Sequence, residues 1–194
     1  RLCLRMRRRI RRFPSAEAAG RTDGEDGGGG SAGKAAGSGA ASPPPAEAPV
    51  AAPAEDKIWV AARGEGVTCN NVPLSGSTRL DFTGSRVPAD ELPRLDADLV
   101  TVTKPNSIAM RMTMVACDRA DLVATLRWGN EWDIAAAHLV AQEAGGIVTD
   151  ALGQTITYNK RAPLDFGLIC CAPGIHKAAV ERLSERAARI LSSA

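Results

Sequence analysis

The chain has 194 residues, is 44% hydrophobic and 24% charged, and carries a formal net charge of +2. That length suffices for one domain with a sizeable core. No apolar run approaches the roughly 20 residues of a membrane span, and no signal-peptide core is visible, so neither a spanning helix nor a secretory leader is expected.

The first twelve residues hold seven Arg and no acid, and removing them takes the formal net charge from +2 to −5. The remainder is mildly acidic, so a nucleic-acid polymer is not expected as its partner. The arm itself reads as a phosphate-binding or transit-like segment, or as sequence under no selection. Residues 13 to 47 are nearly all Ala, Gly, Ser, Pro and charge, with Gly27–Gly30 and Pro43-Pro44-Pro45 as landmarks. Such composition cannot bury enough apolar surface to offset its ordering entropy, which predicts a disordered tail over 1–47 and a folded domain over 48–194. Within the tail, Thr22-Asp23-Gly24-Glu25-Asp26-Gly27 reads as a solvated acidic linker. Because the chain opens at Arg1 rather than Met, it reads as a fragment or an artefactual gene start.

From Ala48 onward, strand-like and helical patterns alternate, which predicts an α/β fold. Strands are expected near 57–62, 66–72, 98–103, 121–126, 146–150 and 166–171, and helices near 106–117, 133–144 and 174–192. Residues 84–97, Pro-rich and of mixed charge, read as a surface loop. In the last helix Ile175, Ala179, Val180, Leu183, Ala187, Ile190 and Leu191 recur near a 3.6-residue period, so that helix is expected to pack across a sheet. No internal repeat is present.

The most informative stretch runs from Glu131-Trp132-Asp133 through Ala135-Ala136-Ala137 to Glu143-Ala144-Gly145-Gly146. Asp133 falls at the N-cap or first turn of a helix, where a carboxylate suits the free N–H groups and the positive end of the dipole. The alanines let the helix lie close to its neighbours, and the glycine pair supplies a left-handed C-cap. Glu131, just before it, reads as an exposed loop carboxylate. Of the five cysteines none forms a Cys-x-x-Cys pair, and Cys170 and Cys171 lie in an apolar run. They read as small buried hydrophobes in a reducing cytoplasm. His138 and His176 lack Cys or His neighbours at zinc spacing, and His138 reads as a core or interface residue.

The order Trp-Asp-x-Ala-Ala-Ala, apolar residues, then Glu-Ala-Gly-Gly resembles the C-terminal signature of the inositol monophosphatase superfamily. Further segments are similar to it: Val50-Ala51-Ala52-Pro53, Ile58 to Gly66, Asn106-Ser107-Ile108-Ala109-Met110, Ala120-Asp121-Leu122, Leu152-Gly153-Gln154 and Thr157-Tyr158-Asn159-Lys160. The resemblance covers roughly residues 48 to 190, the C-terminal half of a member. It implies the C-terminal half of the layered αβαβα sugar-phosphatase fold and a Mg²⁺-dependent phosphomonoesterase acting on a small-molecule phosphate monoester.

By that resemblance Asp133 is a metal ligand, and Asn106, Ser107 and Ile108 line the substrate; Asn106 replaces the family's Gly. The family's other metal ligands, in Gly-Asp/Glu-Glu and Asp-Pro-x-Asp-Gly-Thr, have no counterpart in this sequence. Glu-Trp-Asp with Tyr-Asn-Lys looks more like the 3'(2'),5'-bisphosphate nucleotidases of sulfur assimilation than the inositol monophosphatases proper, which remain the alternative. A non-catalytic half-length relic or binding module is the third reading. Val50, Ile58, Trp59 and Val60 are expected to form an exposed apolar patch that favours a homodimer or aggregation through the sheet.

Overall fold

A computed structural model describes residues 42–193. The expectations for the Arg-rich arm, Cys3, the Gly27–Gly30 run and the acidic stretch at 23–26 lie outside the described residues. The chain pairs earlier than the composition break at Pro45 suggests. Ser42 and Tyr158 exchange backbone hydrogen bonds of 2.8 Å, and Arg63 N–H donates to the Ala46 carbonyl at 2.8 Å.

Four antiparallel strands form the first sheet in the order β1 (Glu47–Ala52), β2 (Lys57–Ala62), β3 (Gly66–Cys69) and β4 (Val72–Pro73). The single strand expected over 66–72 is broken because Asn70 and Asn71 both take positive φ, 50° and 69°. With Cys69 opposite Val72, this is a two-residue hairpin turn, a conformation that Asn tolerates well. Alternation puts Ala48, Val50, Trp59, Ala61 and Val67 on one buried face. The patch expected from Val50, Ile58, Trp59 and Val60 is therefore divided. Trp59 is 2% exposed and Val50 is buried, whereas Val60, on the opposite face, is 42% exposed. Helices from the same chain provide the cover, so no second chain is needed for Trp59.

Those helices are α1 (Ile108–Ala116) and α2 (Glu131–Glu143), which pack on one another; α2 lies against β1 and β2. Its C-terminus is closed as the glycines suggest. Gly145, at φ 92°, donates to the Gln142 carbonyl at 2.9 Å, and Gly146 donates to that of Ala141 at 2.9 Å, together a Schellman motif. A strap at Gly76-Ser77 then crosses both helix ends, with Gly76 N–H bonded to the Ala144 carbonyl and Ser77 N–H to that of Val115. A Cβ at Gly76 would meet both carbonyl oxygens at 3.0 Å, so a larger residue would crowd this crossing.

A short parallel pair, β5 (Arg86–Pro88) and β6 (Val100–Val102), places a strand inside the segment expected to be wholly loop. The third sheet is antiparallel, in the order β7 (Leu122–Asn130), β9 (Leu164–Cys171) and β8 (Ile147–Thr149). β7 outruns its expected end at 126 and enters α2 without a loop, so α2 starts at Glu131 and Asp133 lies in its first turn. α3 (His176–Ser192) packs on β9 through Ala179 and Leu183, as its periodicity predicts. Cys170 and Cys171 are both fully buried, and burial pushes the Cys171 thiol up to about 12. The α/β expectation holds.

Candidate functional site

The end of β7 and the first turn of α2 are fixed by a carboxylate that the sequence did not single out as structural. Glu131 is 5% exposed, which corrects its reading as an exposed loop residue. Its Oε2 accepts the Asn159 N–H at 2.7 Å, and its Oε1 lies 3.1 Å from the Lys160 ammonium. Lys160 in turn reaches Asp165 at 2.7 Å and the Thr157 carbonyl at 2.9 Å. Burial raises the carboxyl pKa of Glu131, but the hydrogen bonds from Lys160 and Asn159 outweigh it and hold the group ionised. The acidic residue at the head of α2 thus ties the helix to the 157–165 segment.

Asp133 projects from that anchored turn into solvent, and the Asn130 amide approaches its Oδ2 at 3.4 Å. The N-cap Asn130 makes no side-chain bond to the helix backbone, so the first-turn N–H groups of α2 receive no help from it. At the head of α1, Ser107 is the N-cap, and its Oγ accepts the Met110 N–H at 3.3 Å. Asn106 and Ser107 are exposed and Ile108 is half-buried. α1 packs against β7 as well as against α2, and each helix N-terminus is a natural anion seat.

Magnesium demands a near-octahedral shell of oxygens and usually takes one or two carboxylates plus substrate phosphate. Among the described residues no group of three or more His, Cys, Asp or Glu stands together to hold a metal ion. Asp133 alone does not fit Mg²⁺.

A second buried carboxylate escaped the sequence reading. Asp121, 2% exposed, accepts the Ser77 hydroxyl at 2.5 Å and the Arg86 N–H at 2.8 Å; the Arg86 guanidinium reaches it at 2.7 Å. Burial pushes its pKa up, but the Arg86 and Ser77 hydrogen bonds prevail and bring it down to about 2. It joins the Ser77 strap, β5 and the start of β7, a structural role. His138 bonds the Tyr158 hydroxyl at 2.7 Å, and burial lowers its pKa to about 4, in keeping with a core histidine.

A family model described as "Inositol monophosphatase family" matches residues 45–190. The chain belongs to the inositol monophosphatase family. Family members similar to it include the putative Nus factor SuhB of Neisseria meningitidis, 30% identical over 122 residues, which cover 56% of this chain and 46% of that protein. The inositol monophosphatase of Mesembryanthemum crystallinum is 24% identical over 117 residues, covering 53% of this chain and 43% of that protein. The chain spans about half the length of the curated relatives it matches.

Among solved structures, SaIMPase-II bound to inositol monophosphate superposes with a TM-score of 0.60 at 18% identity, covering 72% of this chain and 57% of that one. The same protein bound to 2'AMP gives 0.61 at 18%, with 72% and 56% covered. At that identity the likeness shows the fold, that of the family's sugar-phosphatase architecture. The partial coverage matches the expectation of a C-terminal half.

Proposed function

We propose that this chain is the substrate-binding half of a Mg²⁺-dependent phosphomonoesterase acting on a nucleoside bisphosphate, with 3'-phosphoadenosine 5'-phosphate giving AMP and phosphate. The observation that carries the reading is Asp133, exposed in the first turn of α2 that Glu131 anchors. Helix N-termini offer N–H donors to a phosphate, and Asn106, Ser107 and Ile108 would line the alcohol side of the ester. Asp133 would be one metal ligand among several, the others belonging to motifs that this sequence does not contain. In such a completed site Mg²⁺ would offset the charge on the phosphoryl oxygens and lower the pKa of the attacking water. Four free thiols, at Cys69, Cys117, Cys170 and Cys171, support a cytoplasmic setting, and no described helix is long and apolar enough to cross a membrane.

Inositol 1-phosphate is the second reading, favoured by the inositol monophosphate held by a protein of the same fold. The test is phosphate release from both substrates with Mg²⁺. The chain alone is expected to work at background rate, because one carboxylate holds the ion weakly. Joined to the upstream half of a relative, it should hydrolyse the bisphosphate faster, and Asp133→Asn should abolish the gain. A joined protein that remains inactive, or one insensitive to Asp133→Asn, overturns the assignment.

A further inference from the structure

A cavity of about 210 Å³ lies between α1, β2 and the chain that leaves β6. Its wall on α1 is Met110, Thr113, Met114 and Cys117, a spacing of three and four residues that puts them on one helix face. Across from them stands Trp59 of β2, whose indole N–H donates to Cys117 Sγ at 3.1 Å and closes that corner. Burial raises the Cys117 thiol above its usual range, so this wall carries no charge. Trp59 and Met114 are buried, and the Thr113 hydroxyl donates to the Met110 carbonyl at 2.8 Å. The inner wall is thus apolar, with thioether arms that adapt to a guest. An apolar cavity of about 150 Å³ already accepts benzene, so this space suits a single ring.

The charged lining residues are Glu55, Lys104 and Arg119. Glu55 and Arg119 are exposed and Lys104 is half-buried, so the charges stand at the mouth. Two of the three are matched. Lys104 bonds the Asp90 carboxylate, and Glu55 is held by Lys57 at 2.6 Å. Among the described residues Arg119 meets an acid only at Glu55, 4.0 Å away. The mouth therefore keeps one cation in excess, and a guanidinium pairs with a carboxylate through two parallel hydrogen bonds.

We propose that this cavity binds a single-ring aromatic carboxylate, with its ring between Trp59 and the two methionines and its carboxylate on Arg119. One negative charge matches the one uncommitted cation; the second charge of a phosphate ester would go unmatched. Asp133, Asn106, Ser107 and Ile108 are not among the lining residues, so the site does not depend on the phosphatase reading. The methionine wall answers for the ring and Arg119 for the charge, so each can be altered separately.

The experiment is a ligand-detected NMR titration of the full chain with benzoate, benzyl alcohol, acetate and phenyl phosphate. Benzoate is expected to bind with a dissociation constant of about 1 mM, in keeping with so small a ligand. It should bind about tenfold more tightly than benzyl alcohol or acetate, the size of a charge-assisted contact. Arg119→Gln should erase the advantage over benzyl alcohol, while Arg119→Lys retains part of it. Met110→Trp fills the cavity and should abolish binding of both rings, with a thermal melt to separate lost binding from lost fold. Alkylation by iodoacetamide with peptide mapping reads the same site in the unaltered protein. Benzoate should slow labelling of Cys117 several-fold and leave Cys69, which does not line the cavity, unchanged. Equal binding of benzoate and benzyl alcohol, tighter binding of phenyl phosphate, the same labelling of Cys117 with and without benzoate, or no binding at all overturns the proposal.

Discussion

The Lys160 ammonium lies 3.1 Å from the Glu131 carboxylate, and both groups are largely withdrawn from water. Glu131 heads α2, and Lys160 belongs to the segment after Tyr158, so the pair closes a loop of the chain around the helix start. Removing one partner of such a pair costs more than the pair contributes, because the other stays buried and unpaired. Lys160→Met is therefore expected to destabilise by about 1–3 kcal/mol, read from urea melts. Glu131→Gln, which keeps an acceptor for the Asn159 N–H, should lose less than Glu131→Ala. Equal losses for the two Glu131 variants would show that the backbone bonds contribute nothing.

Asp121 makes an acid-sensitive joint. Its folded pKa of about 2 lies below the usual carboxylate value of 3.8. Its contribution is thus present above pH 3.8 and is lost as pH falls towards 2. A shift of this size corresponds to about 2 kcal/mol. Asp121→Asn should lower stability at neutral pH by a comparable amount and flatten the stability curve between pH 4 and 2, measured by denaturant titration across pH. An unchanged acid slope would count against the Arg86–Asp121 joint.

His138 acts at milder acidity. Its pKa falls from 6.5 to about 4 on burial, so below pH 6.5 the unfolded chain takes up a proton that the folded chain refuses. Stability conferred by the neutral ring is complete above 6.5 and declines as pH drops through 4. His138→Phe, which forfeits the bond to Tyr158, should show a shallower decline over this interval. A slope identical to that of the parent protein would mean that the ring is not shielded.

Trp59 and Val60 are adjacent in sequence yet should respond oppositely to lysine. Trp59 is buried, and its indole N–H donates to Cys117 Sγ at 3.1 Å. Truncating a buried Trp typically costs about 3–5 kcal/mol, and a buried Lys adds desolvation, so Trp59→Lys should unfold the domain. Val60→Lys, on the open face of the sheet, should leave the melting temperature nearly unchanged and reduce any self-association seen by light scattering. A folded Trp59→Lys variant would contradict the packing of α2 on this sheet.

These neighbours also mark where sequence reasoning reached its limit. The alternation in β2 shows that Trp59 and Val60 face opposite ways; it does not say which face a helix covers. That depends on where α1 and α2 return, more than forty residues later in the chain. The α2 segment was the most legible part, because its first-turn acid, its alanines and its Gly145-Gly146 cap are local signals that act within a few residues. Helix ends depend on nearby hydrogen bonds, so Asp133 could be placed in the first turn from sequence alone.

Family membership was legible for the same reason, since the order of residues from Trp132 to Gly146 is itself the signature. Glu131 looked exposed because its cover, Asn159 and Lys160, lies almost thirty residues downstream. Arg86 and Asp121 stand 35 residues apart in sequence, and only the fold brings their side chains to 2.7 Å, a meeting that local periodicity does not encode. Thus the amino-acid order by itself determined the alternating α/β pattern, the cap of α2 and the family, while the tertiary structure decided where short strands pair, which faces are buried and which charges meet.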